Sequence, residues 1–280
     1  MQGKVIIRGL NDCWVKTLNG DIHNVLLPNK RLSLLVGDQV EFSNDSGSLK
    51  VENVYERKTE IYKANSALEP ELFAVNITQL AVVIAPNPEP DLLLLDSFLC
   101  AADRAGVSTL LVINKSDLDI NISSELESYP VDRAIHISAK FDQNINELLG
   151  LLNNQFSLLV GQSGVGKSSI LNKIMGQEIQ KIRSLNKNQG THTTSTSYLY
   201  SIDRSTDIVD TPGVRGFIPY FKEKSEISSA FAEIFVHASR CKFPNCLHVN
   251  EPNCGVKDAI EESQIQPSRY KSYLHLLGLY

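Results

Sequence analysis

The stretch "GQSGVGKS", residues 161 to 168, decides the fold. It matches GxxxxGKS with Gly161, Gly166, Lys167 and Ser168 in the fixed positions, behind the apolar run "FSLLV" (156–160) and ahead of a helical pattern from 167. Glycines at these positions let backbone N–H groups wrap a β-phosphate. A lysine there reaches the β and γ oxygens, and a serine hydroxyl faces Mg²⁺. Gln162, Ser163, Gly164, Val165 and Ser169 complete the expected cradle. A strand, a glycine turn and a helix in this order place the loop at the carboxyl edge of a parallel sheet, where ligands of that architecture bind.

Upstream of the loop, apolar strands alternate with helical patterns. Strands are expected at 79–85, 108–113 and 134–138, and helices at 91–105, 122–128 and 144–153, so the middle of the chain reads as α/β with helices on both faces. Two more loops follow strands directly. In "NKSD" (114–117), Asp117 is suited to accept from guanine N1–H and the 2-amino group, a two-point charge-assisted pairing that adenine cannot make. Asn114 and Lys115 brace that loop around Ser116. In "SAK" (138–140), which begins 21 residues beyond Asp117, the Ala139 N–H is placed to meet guanine O6 between Ser138 and Lys140.

Downstream, "DTPG" (210–213) ends an apolar run 43 residues after Lys167. It offers the Asp210 carboxylate toward Mg²⁺, usually through water, and the Gly213 N–H toward a γ-phosphate. Between them, "NKNQGTHTTS" (186–195) supplies a threonine for Mg²⁺, with Thr194 preferred and Thr193 the alternative. The order of base reader, SAK, cradle and switches is a circular permutation of the usual one in GTP-hydrolysing domains. Exposed, neighbouring termini make that rearrangement feasible. Its consequence is mechanical, since the segment after Gly213 runs through "VRGFIPYF" (214–221) almost directly into the C-terminal part. Val214 occupies the position where many GTPases carry a water-orienting glutamine, so intrinsic turnover is expected to be slow.

The chain has 280 residues, 42% hydrophobic and 21% charged, enough for a large core in two or three domains. Its apolar runs fall well short of the roughly 20 residues that cross a bilayer. With no secretory h-region at the N-terminus and an odd number of cysteines, five, the expected setting is reduced and cytoplasmic, with no membrane partner. The net charge is −5, and residues 67–223 hold the acidic excess, with 12 basic against 18 acidic side chains. Any contact with RNA must therefore come from a local patch.

Residues 1–66 contain "VIIRGL", "CWVKTL", "DIHNVLL", "DQVEFS" and "LKVENVY", with turn signals at 19–20, 37–38 and 44–48. Five short strands suggest an OB-type barrel. Trp14, Arg8, Lys16 and Arg31 are possible nucleic-acid contacts, and a tryptophan in the core is the competing reading for Trp14. Lys50, Arg57 and Lys58, with Lys242, Lys257, Arg269 and Lys271 in the tail, extend that set. Residues 224–280 carry helical patterns at 226–239, 256–265 and 267–280 around "CKFPNCLHVNEPNC" (241–254). Cys241, Cys246, His248 and Cys254 form a donor set suited to one tetrahedral, closed Zn²⁺ site. Cys13 and Cys100 fall in expected core segments.

A barrel at 1–66, a permuted nucleotide-binding domain at 67–223 and a Cys/His tail at 224–280 together resemble the ribosome small subunit-dependent GTPase A family over essentially the whole chain. The resemblance implies a GTPase acting in late maturation of the 30S subunit, binding 16S rRNA and hydrolysing GTP faster on the subunit; a monomer is the default expectation. It also implies that His192, just before the paired threonines, serves stimulated hydrolysis alongside Lys167, although His192 could equally contact RNA or solvent. The competing function is an RNA-binding adaptor for which GTP is only an ordering ligand. A metal-delivery role is disfavoured because the tail ligands suffice to close their site.

Overall fold

Short alternating runs in the first 54 residues fold into strands β1 (Gln2–Arg8), β2 (Asp12–Thr17), β3 (Ile22–Leu26), β4 (Gln39–Asp45) and β5 (Ser48–Val54). Their order is β1-β2-β3-β5-β4, and β4 pairs back onto β1 to close a five-stranded barrel. Val5, Cys13, Val15, Val25, Val40, Phe42 and Val51 fill its interior. This computed structural model describes all residues except 29–31, 46, 119–125, 127–128, 177–178, 180–181, 183, 186–196, 212–215 and 280.

The barrel is joined to the rest of the molecule through β1. A bulge between Val5 and Ile7 turns the strand, so that Val5 faces the barrel interior while Ile6 and Ile7 join the large central core. Trp14 packs partly buried against that same core, which favours the structural reading of this residue. At the barrel exit Arg57 grips the buried Asp38 with two hydrogen bonds of 2.8 and 2.9 Å, and it also reaches Glu60. The sequence pattern groups Arg57 with the RNA-facing cations; this bidentate pairing turns it inward instead.

A hairpin follows, β6 (Glu60–Ala64) with β7 (Pro70–Val75). The six strands of the nucleotide-binding part are then β8 (Gln79–Ile84), β9 (Ser108–Ile113), β10 (Arg133–His136), β11 (Phe156–Gly161), β12 (Tyr198–Ser201) and β13 (Asp207–Asp210). They lie in the order β10-β9-β8-β11-β13-β12, parallel except for β12. Along β8, Leu80, Val82 and Ile84 enter one core, while Ala81 and Val83 enter the other. Such apolar continuity is what a parallel sheet covered on both faces requires. Helix α1 (Leu92–Ala105) covers the first face, and α2 (Ile145–Leu152) and α3 (Lys167–Met175) cover the second.

The chain builds outward from β8 to the β10 edge, returns to the centre with β11, and ends on the opposite edge. The reversal between β8 and β11 is the crevice where ligands bind in open α/β sheets. The edge strand β12 does not end the sheet, because Tyr198 pairs with Ile7 of the barrel.

The C-terminal part consists of α4 (Ser225–Ser229), α5 (Ala232–Ala238), α6 (Gly255–Glu261) and α7 (Pro267–Leu279) around its own core. The single helix expected over 226–239 is two short ones. Phe231 adopts an extended conformation between them (φ −110°, ψ 97°) and buries its ring edge-on against Tyr273. Tertiary packing of one aromatic outweighs the helical pattern here. The expected strands of the central part agree with the structure to within two residues at each end, while the helix expected at 122–128 falls largely outside the described residues. No helix among the described residues is long and apolar enough to cross a membrane.

Candidate functional site

Three loops converge on the crevice between β8 and β11. The 161–168 loop leaves β11 with Gly161, Gly164 and Gly166 at positive φ (140°, 87° and 99°), conformations that side chains rarely adopt. A Cβ at Gly161 would collide with the Val83 carbonyl, and one at Gly166 with the Asn114 amide. The glycine spacing thus answers to neighbouring backbone and side chains. Ser163, Gly164, Ser168 and Ser169 are exposed, Gln162 is half-buried and Val165 anchors the loop in the core.

Lys167 is 9% exposed, and its ammonium donates to the carbonyls of Gly161 (2.6 Å) and Gln162 (3.1 Å). Burial lowers its pKa, and the nearby Asp210 carboxylate, at the end of β13, acts in the opposite direction. A cation held by its own loop carbonyls is poised to exchange them for a charged oxygen.

Asn114, 2% exposed, ties the loops together. Its Nδ2 donates to Val165 O (2.8 Å), and its Oδ1 accepts the Ala139 N–H (3.1 Å). Lys115, at φ 63°, donates to Gly164 O (2.8 Å) and to Asn87 O (2.6 Å). Asp117 is exposed, and one of its oxygens accepts the Ser138 hydroxyl at 2.5 Å. Ser116 donates to Gln143 at 3.3 Å, and Lys140 is exposed beside the rim. The sites expected from "NKSD", "SAK" and "GQSGVGKS" are therefore brought to one place. Gly213, Val214, His192, Thr193 and Thr194 lie outside the described residues.

A second cluster sits in the C-terminal part. His248 Nδ1 lies 3.4 Å from the Sγ atoms of both Cys241 and Cys254, these sulfurs are 3.8 Å apart, and all four donor atoms of Cys241, Cys246, His248 and Cys254 fall within 4.8 Å. Tetrahedral zinc with bonds of ~2.3 Å to sulfur and ~2.0 Å to nitrogen requires ligand separations of roughly 3.5–3.8 Å. The donor set suits that ion, and the separations among Cys241, His248 and Cys254 lie close to this range. Glu251 accepts the amides of Leu247, Val249 and Asn250 and holds the loop between the ligands; these bonds keep its carboxyl down at about 2.

The family model for the RsgA GTPase matches residues 54–218. The chain belongs to the RsgA GTPase family. It is accordingly an enzyme that hydrolyses GTP. Among curated relatives, the small ribosomal subunit biogenesis GTPase RsgA of Phocaeicola vulgatus is 33% identical over 87% of this chain and 83% of its own length. The protein of the same name from Haemophilus influenzae is 31% identical over 99% of this chain and 84% of its own. The crystal structure of YjeQ from Thermotoga maritima superposes with a TM-score of 0.74 at 32% identity, covering 99% of this chain and 96% of that one. YloQ, described as a circularly permuted GTPase, shares the fold at a TM-score of 0.71 and 24% identity, covering 99% of this chain and 93% of that one.

Within this RsgA-type frame, sequence reasoning misses the loop between β8 and α1. Gln162 accepts the Asp91 N–H at 3.3 Å, Lys115 holds Asn87 O, and Pro88 faces Gly164, so residues 87–91 brace the cradle. The position of "PNPEPD" (86–91) immediately after a central strand is the signal that could have found it. Tyr270 and Tyr273, whose hydroxyls donate to His248 O (2.6 Å) and Leu247 O (2.8 Å), are missed as well. Arg269, expected to face RNA, is 3% exposed and paired with Asp96 and Glu233. It cannot reach a phosphate in solution, because the guanidinium serves the junction between α1, α5 and α7.

Proposed function

We propose that this GTPase assists late maturation of the small ribosomal subunit, with hydrolysis accelerated by the 30S particle and coupled to release. The observation that carries the nucleotide part is the double bond-making of Asn114, which locks the base-reading and phosphate-binding loops into one unit open at Asp117. In this reading Asp117 and Ala139 read guanine, braced by Asn114, Lys115, Ser116, Ser138 and Lys140. The N–H groups of 161–169 hold the phosphates, and Lys167 neutralises the β and γ oxygens. Ser168 and Thr194, or Thr193, would hold Mg²⁺ with Asp210 nearby, and Gly213 would meet the γ-phosphate. When bound, that ion supplies charge stabilisation to the phosphates. The names borne by the relatives support the partner.

Val214 cannot orient water, so a second group has to. We assign this to His192, ordered by docking. The barrel (1–66) and the tail (224–280) are the rRNA-gripping parts on either side of the GTPase core (67–223), and the protein works as a cytoplasmic monomer. Phosphate release measured with and without purified 30S subunits tests the scheme. Large stimulation is expected for the wild type, and strong loss of it in His192→Ala with subunit binding retained. GTP-dependent binding without stimulation would favour the adaptor reading, which Val214 keeps in play.

The Cys241, Cys246, His248 and Cys254 cluster is proposed to hold one structural Zn²⁺. A site closed by four protein ligands stabilises a small domain because its binding energy is folding energy. Chelation, or Cys254→Ser, is expected to lower metal content from one ion per chain toward zero and to strip amide-exchange protection from α6 and α7. Retained protection in metal-free protein would overturn the assignment.

A further inference from the structure

The rim loop after "SAK" is more tightly built than its exposure requires. Ser138 and Gln143 exchange both backbone hydrogen bonds (3.1 Å each), Asp142 and Asn144 take positive φ (59° and 58°), and Asp142 pairs with Lys173 of α3 at 2.6 Å. On this braced loop Phe141 is 63% exposed. The Ser138 hydroxyl donates to Asp117 at 2.5 Å and accepts the Phe141 N–H at 3.3 Å, so one hydroxyl links the phenylalanine to the carboxylate. The Lys140 ammonium stands 4.8 Å from the Phe141 ring centroid.

We propose that Phe141 is a nucleotide-binding residue that forms the outer wall of the guanine site, steadied by its cation–π contact with Lys140. The inference rests on the reading of Asp117 and Ala139 as base contacts and adds the apolar cover which that reading lacks. A large ring left in water on a rigid loop gains by covering the face or edge of a bound base. Stacking of this kind tolerates any purine, so Phe141 contributes affinity while Asp117 contributes selection.

The test compares wild type, Phe141→Ala and Phe141→Trp by equilibrium and stopped-flow binding of GDP and GTP, with thermal melts as a control for folding. Phe141→Ala is expected to weaken both nucleotides by the same factor, about five- to twentyfold, through faster dissociation. In turnover it raises KM and leaves kcat unchanged. Phe141→Trp restores binding, and its emission changes on GDP addition beyond the wild-type signal, which comes from Trp14 alone. Unchanged GDP affinity in Phe141→Ala, or a Phe141→Trp protein that binds GDP with no added emission change, overturns the proposal. A wild-type chain with no preference for GDP over ADP would instead overturn the reading of Asp117 on which it rests.

Discussion

Asp117→Asn is expected to weaken GTP binding by about two orders of magnitude and to create affinity for xanthosine triphosphate. Guanine presents two donors, N1–H and the 2-amino group, to a carboxylate that only accepts. Loss of one charge-assisted hydrogen bond, worth about 1.5–3 kcal/mol, accounts for a change of that size. The amide of the variant replaces one acceptor with a donor, which clashes with the 2-amino group and suits the 2-oxo group of xanthine. The fold should tolerate the change, because Asp117 is exposed and an amide oxygen can still accept the Ser138 hydroxyl held at 2.5 Å in the native loop. Calorimetric titration with GDP and xanthosine diphosphate provides the measurement. Equal weakening of both nucleotides would mean that Asp117 shapes the loop and does not read the base.

The same loops show why much of the candidate nucleotide site is legible in the sequence. Gly161 and Gly166 are demanded by positive φ and by the Val83 carbonyl and Asn114 side chain beside them, so their spacing survives as a pattern in one dimension. The Cys/His cluster is equally legible, since four donors within 4.8 Å are held by a segment of only 14 residues, 241–254. Contacts between segments far apart in the chain are not legible. Arg269 looks like any exposed lysine or arginine on a helix, and its burial is decided by Asp96, 173 positions away. The pairing of Ile7 with Tyr198 is likewise invisible in sequence, yet it places the strand that directly follows residues 186–196 against the barrel.

Arg269→Met is expected to destabilise the protein by about 3–5 kcal/mol near neutral pH, the usual cost of leaving a buried charge without its partner. Arg269 bonds Asp96 of α1 at 2.5 Å and Glu233 of α5 at 2.6 Å while its guanidinium lies over the rings of Phe231 and Tyr129. Tyr129 completes the group by donating to Asp96 at 2.6 Å. Burial raises the Asp96 carboxyl above its ordinary range, and Arg269 is the leading influence drawing it back down. Without Arg269 the folded protein binds that proton more tightly still than the unfolded chain does. A raised carboxylate confers stability at low pH that is lost as pH rises through the folded-state value. The deficit of Arg269→Met relative to wild type should therefore be largest at neutral pH and shrink as the pH is made acidic. Asp96→Asn in the same chain removes the stranded charge, so the double variant should be more stable than the two single losses added together. Denaturant midpoints at neutral and acidic pH decide the matter. A pH-independent deficit, or strict additivity, would show that Arg269 acts by filling space between the helices and not by neutralising Asp96.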